Sequence, residues 1–129
     1  MANMANVREV MTTGLVTAET GSTVAEAATI MGERHVGSTL VMEGDRLVGI
    51  FTERDIVRAL SQDFDAPGHP ISDWMTKDPR TIGPDSSVDE ALEIMFAGGF
   101  RHLPVADGNR ILGMVSMRDL SRASVEHGE

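Results

Sequence analysis

The apolar positions along this chain alternate between two rhythms. Val24, Ala27, Ala28 and Met31 follow the 0, 3, 4, 7 spacing of one helix face, and Val88, Ala91, Leu92 and Met95 repeat it. Each run is preceded by a hydroxyl that has an acid three positions on, the capping-box spacing: Thr23 with Glu26, and Ser87 with Glu90. In that motif the hydroxyl and the carboxylate satisfy each other's free backbone donors, so helices are predicted to start at Thr23 and Ser87. A β rhythm follows. Thr39 to Met42 and Arg46 to Phe51 flank Glu43-Gly44-Asp45, while Leu103 to Ala106 and Ile111 to Val115 flank Asp107-Gly108-Asn109. Short glycine-containing loops between β-rich runs predict two hairpins. A short β segment precedes each first helix (Leu15-Val16-Thr17; Arg80-Thr81-Ile82), and a second helix begins after Thr52 or Ser116.

The two stretches are one pattern written twice. Moving the sequence by 64 positions (71 − 7) lays Val7 on Ile71 and continues without a gap, and 15 of the 51 pairs from Val7/Ile71 to Val57/Ser121 are identical. Such self-similarity marks a repeat architecture. The reading is an α/β chain of tandem β-α-β-β-α repeats, 7–60 and 71–123, joined by a linker, 61–70, that holds two prolines and Gly68, and closed by a frayed tail, 124–129. Neither repeat is large enough to cover both faces of its own sheet. The expected solution is packing with pseudo-twofold symmetry, leaving two equivalent clefts at the junction.

Composition narrows the function classes. The 129 residues suffice for one domain or two very small ones, and 41% hydrophobic with 24% charged residues is a globular balance. The absence of cysteine excludes disulfides, thiol chemistry and Cys-based zinc sites. No apolar run approaches a membrane span, and the first residues lack a signal-peptide pattern, so a soluble cytoplasmic protein is expected. The net charge of −9, without a basic patch, argues against nucleic acid. No phosphate loop, Gly-x-Ser-x-Gly or His-Glu-x-x-His motif is present, so an enzyme is not expected.

Met11-Thr12 and Met75-Thr76, the helices at Val24 and Val88, the strand Leu103-Pro104-Val105, and the Gly-x-x-[Thr/Ser]-x-Arg-Asp blocks ending at Asp55 and Asp119 occur in order at one spacing. With these the chain resembles a pair of CBS domains, a Bateman module of the stand-alone bacterial type. The resemblance spans roughly Val7 to Ala123. It implies a sensor or regulator that binds an adenosine derivative: AMP, ADP, ATP, NAD(H) or S-adenosylmethionine. It also implies a homodimer and a protein partner that reads the occupancy.

Carried over residue by residue, the resemblance implies a first site of Thr52, Asp55, Thr76, Arg80, Phe100, Arg101 and His102. The second site would hold Ser116, Asp119, Thr12, Val16, Val36 and Gly37. In the family pattern the aspartate holds the ribose hydroxyls. Two physical readings of Thr52/Asp55 and Ser116/Asp119 stand side by side. The spacing is an ordinary capping box. It also places a carboxylate at a helix N-terminus, where free N–H groups and the positive dipole suit phosphate and the carboxylate suits a cis-diol. The two sites differ chemically. Arg101 and His102 align with the uncharged Gly37 and Ser38, so the first site is expected to favour phosphorylated ligands. The second, with Val16, Val36 and Met117, is apolar and neutral. It suits an adenosine moiety or a sulfonium ligand, or stays empty. Glu53 opposes phosphate in the first site. No metal site is expected, apart from Mg2+ carried in on ATP. His35 is expected at a helix end, His69 in the linker and His127 in the tail. Met31 and Met95 are expected in the core, and Trp74 as an anchor. The alternative function is a ligand-free structural or interaction module that acts through its dimer surface.

Overall fold

The computed structural model describes residues 5–127, with side chains described through Arg122. Part of the expected tail, including the His127 side chain, lies outside the described residues. The elements in chain order are α1 (Val7–Val10), β1 (Thr17–Glu19), α2 (Val24–Arg34), β2 (Ser38–Glu43), β3 (Arg46–Thr52), α3 (Glu53–Gln62), β4 (Thr76–Lys77), α4 (Val88–Gly98), β5 (His102–Asp107), β6 (Arg110–Ser116) and α5 (Met117–His127). Two 3-10 turns, Ala66–Gly68 and Ile71–Asp73, lie between α3 and β4.

The helices start where the hydroxyls predict. Thr23 Oγ1 accepts from the Glu26 N–H at 3.0 Å, and Glu26 Oε1 accepts from the Thr23 N–H at 2.8 Å. Ser87 Oγ accepts from the Glu90 N–H at 3.0 Å. α2 ends at His35, which sits in the left-handed region with φ 56°; its counterpart at the end of α4 is Gly99. Both hairpins turn on a glycine with φ +61°, Gly44 or Gly108, and both carry a register shift at one matched place, Val41/Met42 and Val105/Ala106.

The compact units do not follow the sequence repeats. One is Val16–Pro79; the other joins the chain through Leu15 to the segment from Arg80 onward. In each, the stretch that opens one repeat is laid onto the body of the other. Val24 donates to the His69 carbonyl and Ile71 to the Ser22 carbonyl in one unit. In the other, Val88 donates to Ala5 and Val7 to Ser86, the same bonds moved by 64 positions. The exchange goes on to the Met-Thr pairs. β4 lies antiparallel beside β3, with Ile50 opposite Thr76, and Thr12 forms the matching bridge with Met114 beside β6.

In unit Val16–Pro79 the sheet order is β1-β2-β3-β4, with β1 parallel to β2 and the other pairs antiparallel. The other unit has the antiparallel pair β5-β6, and the predicted strand Arg80-Thr81-Ile82 shrinks there to a single parallel bridge, Ile82 to Val105. One proline contributes to this. Leu40 donates to Val16 on the β1 side, but its counterpart is Pro104, which has no N–H.

Each unit has its own core. Val24, Ala27, Met31, Val41, Val48, Phe51 and Ile71 are buried together in one, with Trp74 and Met75 packed at its edge. Val7, Ile82, Val88, Ala91, Met95, Leu103, Val105, Val115 and Leu120 are buried in the other. Met31 and Met95 are thus core residues. Val7 and Ile71, the first residues of the two repeats, are fully buried, each inside the unit built by the other repeat.

Candidate functional site

Two blocks of seven residues, Gly49 to Asp55 and Gly113 to Asp119, make the same local structure. The glycine lets the Met-Thr segment lie close. A Cβ on Gly49 would meet Met75 Sδ at 2.5 Å and the Thr76 carbonyl at 3.0 Å; one on Gly113 would meet the Thr12 carbonyl at 2.7 Å and Met11 Sδ at 2.9 Å. The strand then ends in a hydroxyl that caps the next helix. Thr52 Oγ1 accepts from the Asp55 N–H at 3.3 Å, and Ser116 Oγ accepts from the Asp119 N–H at 3.1 Å. The first helical residue is tied to the start of the middle strand: Glu53 donates to the Gly37 carbonyl at 3.1 Å, and Met117 to the Arg101 carbonyl at 2.8 Å.

The structure therefore gathers Thr52, Asp55 and Gly37 at the N-terminus of α3, with Thr76 beside Ile50 on the strand that leads into it. It gathers Ser116, Asp119 and the Arg101 carbonyl at the N-terminus of α5, with Thr12 beside Met114 on the preceding strand. His102 stands directly opposite Ser116 in the β5-β6 register, as Ser38 stands opposite Thr52. Of the residues expected in the first site, Thr52, Asp55 and Thr76 belong to unit Val16–Pro79, while Arg80, Phe100, Arg101 and His102 belong to the other. Of those expected in the second, Val16, Val36 and Gly37 belong to Val16–Pro79, and Thr12, Ser116 and Asp119 to the other. Val16 presents its carbonyl to the Leu40 N–H and the Thr39 hydroxyl. Val36 and Phe100 are half-buried against their cores, whereas Arg80 and Arg101 are exposed.

The two aspartates are held differently. Asp55 is buried, at 7% exposure, and its carboxylate is engaged on both oxygens. Oδ2 accepts from the Thr52 N–H at 3.0 Å and from Thr52 Oγ1 at 3.2 Å, and Oδ1 accepts from Arg58 Nη2 at 3.4 Å. Asp119 is half-buried. The same Arg58 nitrogen donates to the Trp74 carbonyl at 2.5 Å, and the guanidinium carbon lies 5.5 Å from the centroid of the Trp74 ring. Trp74 is thus an anchor inside its own unit, joining β4 to α3. Sequence reasoning missed Arg58; its signal was the matched Arg122 one repeat later, three residues after the second aspartate.

Of the other histidines, His35 is the left-handed cap of α2, and His69 Nδ1 lies 3.6 Å from Asp63 Oδ2. Among the described residues no group of three or more His, Asp or Glu side chains is placed to hold a metal ion. No helix among them is long and apolar enough to cross a membrane.

The family model of the CBS domain matches this chain twice, over residues 7–62 and 71–126. The chain belongs to the CBS domain family. An uncharacterised 17.7 kDa protein of Acidianus ambivalens is 43% identical over 123 residues, which cover 93% of this chain and 73% of that protein. The CBS-domain protein ATU1752 of Agrobacterium tumefaciens has a solved structure that matches with a TM-score of 0.86 at 30% identity, covering 92% of this chain and 98% of that one. The CBS domain pair of protein MJ0100, solved in complex with 5′-methylthioadenosine and S-adenosylmethionine, matches with a TM-score of 0.87 at 28% identity, covering 96% of this chain and 98% of that one. The mixed α/β fold of two CBS repeats is therefore that of known CBS pairs.

Proposed function

We propose that this chain is a non-catalytic regulatory module that binds adenosine-containing ligands and passes their occupancy to a protein partner. The observation that carries the reading is the repeated constellation at the starts of α3 and α5: a capping hydroxyl, an aspartate three residues on, and a Met-Thr segment laid beside the strand that ends there. A helix N-terminus offers N–H donors to phosphate, and a carboxylate there accepts from a ribose diol. The ligands held by the solved CBS pair of MJ0100 are both adenosine derivatives, which favours the same class here.

In this reading Asp55 and Asp119 take ribose hydroxyls, and Thr52, Ser116, Thr76 and Thr12 offer hydroxyls to ribose or phosphate. Arg101, with His102 and Arg80, is the cationic group that a phosphorylated ligand (AMP or ATP, the latter with its Mg2+) would meet. Phe100 offers an aromatic face. Val16, Val36 and Gly37 form the neutral counterpart, suited to an uncharged or sulfonium-bearing adenosine. Self-association belongs to the same proposal. Val57, Leu60 and Phe64 are exposed at 67%, 49% and 95% along one side of α3 and just beyond it, an apolar stripe that a second copy would cover.

Calorimetric titration with AMP, ATP, NADH and S-adenosylmethionine tests the function. At least one ligand is expected to bind at micromolar level, with Asp55→Ala and Asp119→Ala each removing one site while the fold survives. Arg101→Ala is expected to weaken AMP and ATP more than adenosine. Absence of heat and of any thermal shift with all four would replace this reading with that of a structural dimerisation module.

A further inference from the structure

Among the described residues, the clamp around Asp55 has no counterpart at Asp119. Arg58 reaches the Asp55 carboxylate and the Trp74 carbonyl through one nitrogen, while its guanidinium carbon lies over the Trp74 ring. At the matching positions of the second repeat, Arg122 is present but the aromatic bed is Val10. The arm to Asp55 is the weaker one, at 3.4 Å against 2.5 Å for the arm to Trp74. Thr52 occupies Oδ2 twice, so Oδ1 is the oxygen left to a ligand, and Arg58 holds it.

We infer that Arg58 is a latch on the first adenosine site: it competes with the ribose diol for Asp55 Oδ1 and, once displaced, stays bound to the Trp74 carbonyl. The inference rests on the adenosine-binding reading given above. It assigns that site a built-in competitor and leaves the Asp119 site without one. A ligand that claims Oδ1 shifts the guanidinium across the indole, and Trp74 is the one tryptophan of the chain, so its emission reports the event. The ion pair is partly solvated, with the Arg58 side chain 45% exposed, so the competition is modest and reversible.

Arg58→Met keeps an apolar stem against the indole and removes the competing donor. In an Asp119→Asn background, AMP and 5′-methylthioadenosine are titrated by calorimetry and by Trp74 emission. Binding to Arg58→Met is expected to be roughly two- to fivefold tighter than to the parent, the size of a partly exposed ion pair. The gain should vanish for 2′,3′-dideoxy-AMP and in an Asp55→Asn, Arg58→Met double variant. The emission change on ligand addition should shrink when Arg58 is absent. Equal or weaker AMP binding by Arg58→Met overturns the latch alone, as does an equal gain for the dideoxy ligand. No binding by any variant overturns the latch together with the adenosine reading. If Arg58→Met fails to fold, Arg58→Lys, which keeps the charge but is too short and unforked to hold both Asp55 and the Trp74 carbonyl, should show the same diol-dependent gain at smaller size; its absence also overturns the latch.

Discussion

At the scale of single residues, small side chains decide how the site is built. Gly49 and Gly113 sit where the exchanged Met-Thr segments press against the strands. The contact at Gly49 is chiefly with the flexible Met75 sulfur, whereas a methyl on Gly113 would run into the backbone carbonyl of Thr12 at 2.7 Å. Gly113→Ala is therefore expected to destabilise by about 1–3 kcal/mol, the usual range for overpacking, and Gly49→Ala by less. Chemical denaturation of the two variants side by side would check the order; an equal cost would contradict it. The aspartates were visible in the sequence, but the difference between them was not. That difference is set by Arg58 and Trp74, sixteen residues apart in the chain and joined only when β4 lies beside β3.

At the scale of elements, local rules settle most boundaries. Capping hydroxyls start α2, α3, α4 and α5, and the glycine turns place both hairpins. His35 is the exception. It ends α2 in a left-handed conformation that costs an L-residue about 1–2 kcal/mol, where the second repeat uses Gly99. Glycine would relieve that strain but raise the entropy of the unfolded chain, so His35→Gly is expected to stabilise by a net gain of roughly 0.5 kcal/mol. A lowered melting temperature would show that the imidazole contributes more than the strain costs. The first strand of the second repeat was readable as β-rich, yet Pro104 lacks the donor that its counterpart Leu40 gives to that strand's side of the sheet.

At the scale of the whole molecule, the repeats and the compact units are different partitions of one chain. The family matches run 7–62 and 71–126, but the buried Val7 belongs to the unit that carries α4 and α5, and the buried Ile71 to the one that carries α2 and α3. A fragment cut at the repeat boundary, 71–126, would lose Ala5, Val7 and the Thr12 bridge from its core while keeping Ile71 without a place to bury it. It is expected to unfold without a cooperative transition. Adding residues 5–15 through a flexible linker should restore one, as read by far-UV circular dichroism on heating. Cooperative melting of the bare fragment would refute the dependence.

By itself the sequence determined what nearby residues can decide. The helix faces, caps, hairpins and gap-free repeat all follow from spacing along the chain, because 3.6- and 2-residue periods and turn chemistry act over a few positions. It also determined the family, since Met-Thr and the Gly-x-x-[Thr/Ser]-x-Arg-Asp blocks recur in order. Only the tertiary structure decided which body each leading segment covers, because hydrogen-bond donors and apolar side chains pair with whichever strand edge and core lie closest in space. It likewise decided that one aspartate is clamped by an arginine over an indole, because that geometry needs Asp55 and Arg58 of one helix to meet Trp74 of a later segment in a partly desolvated place.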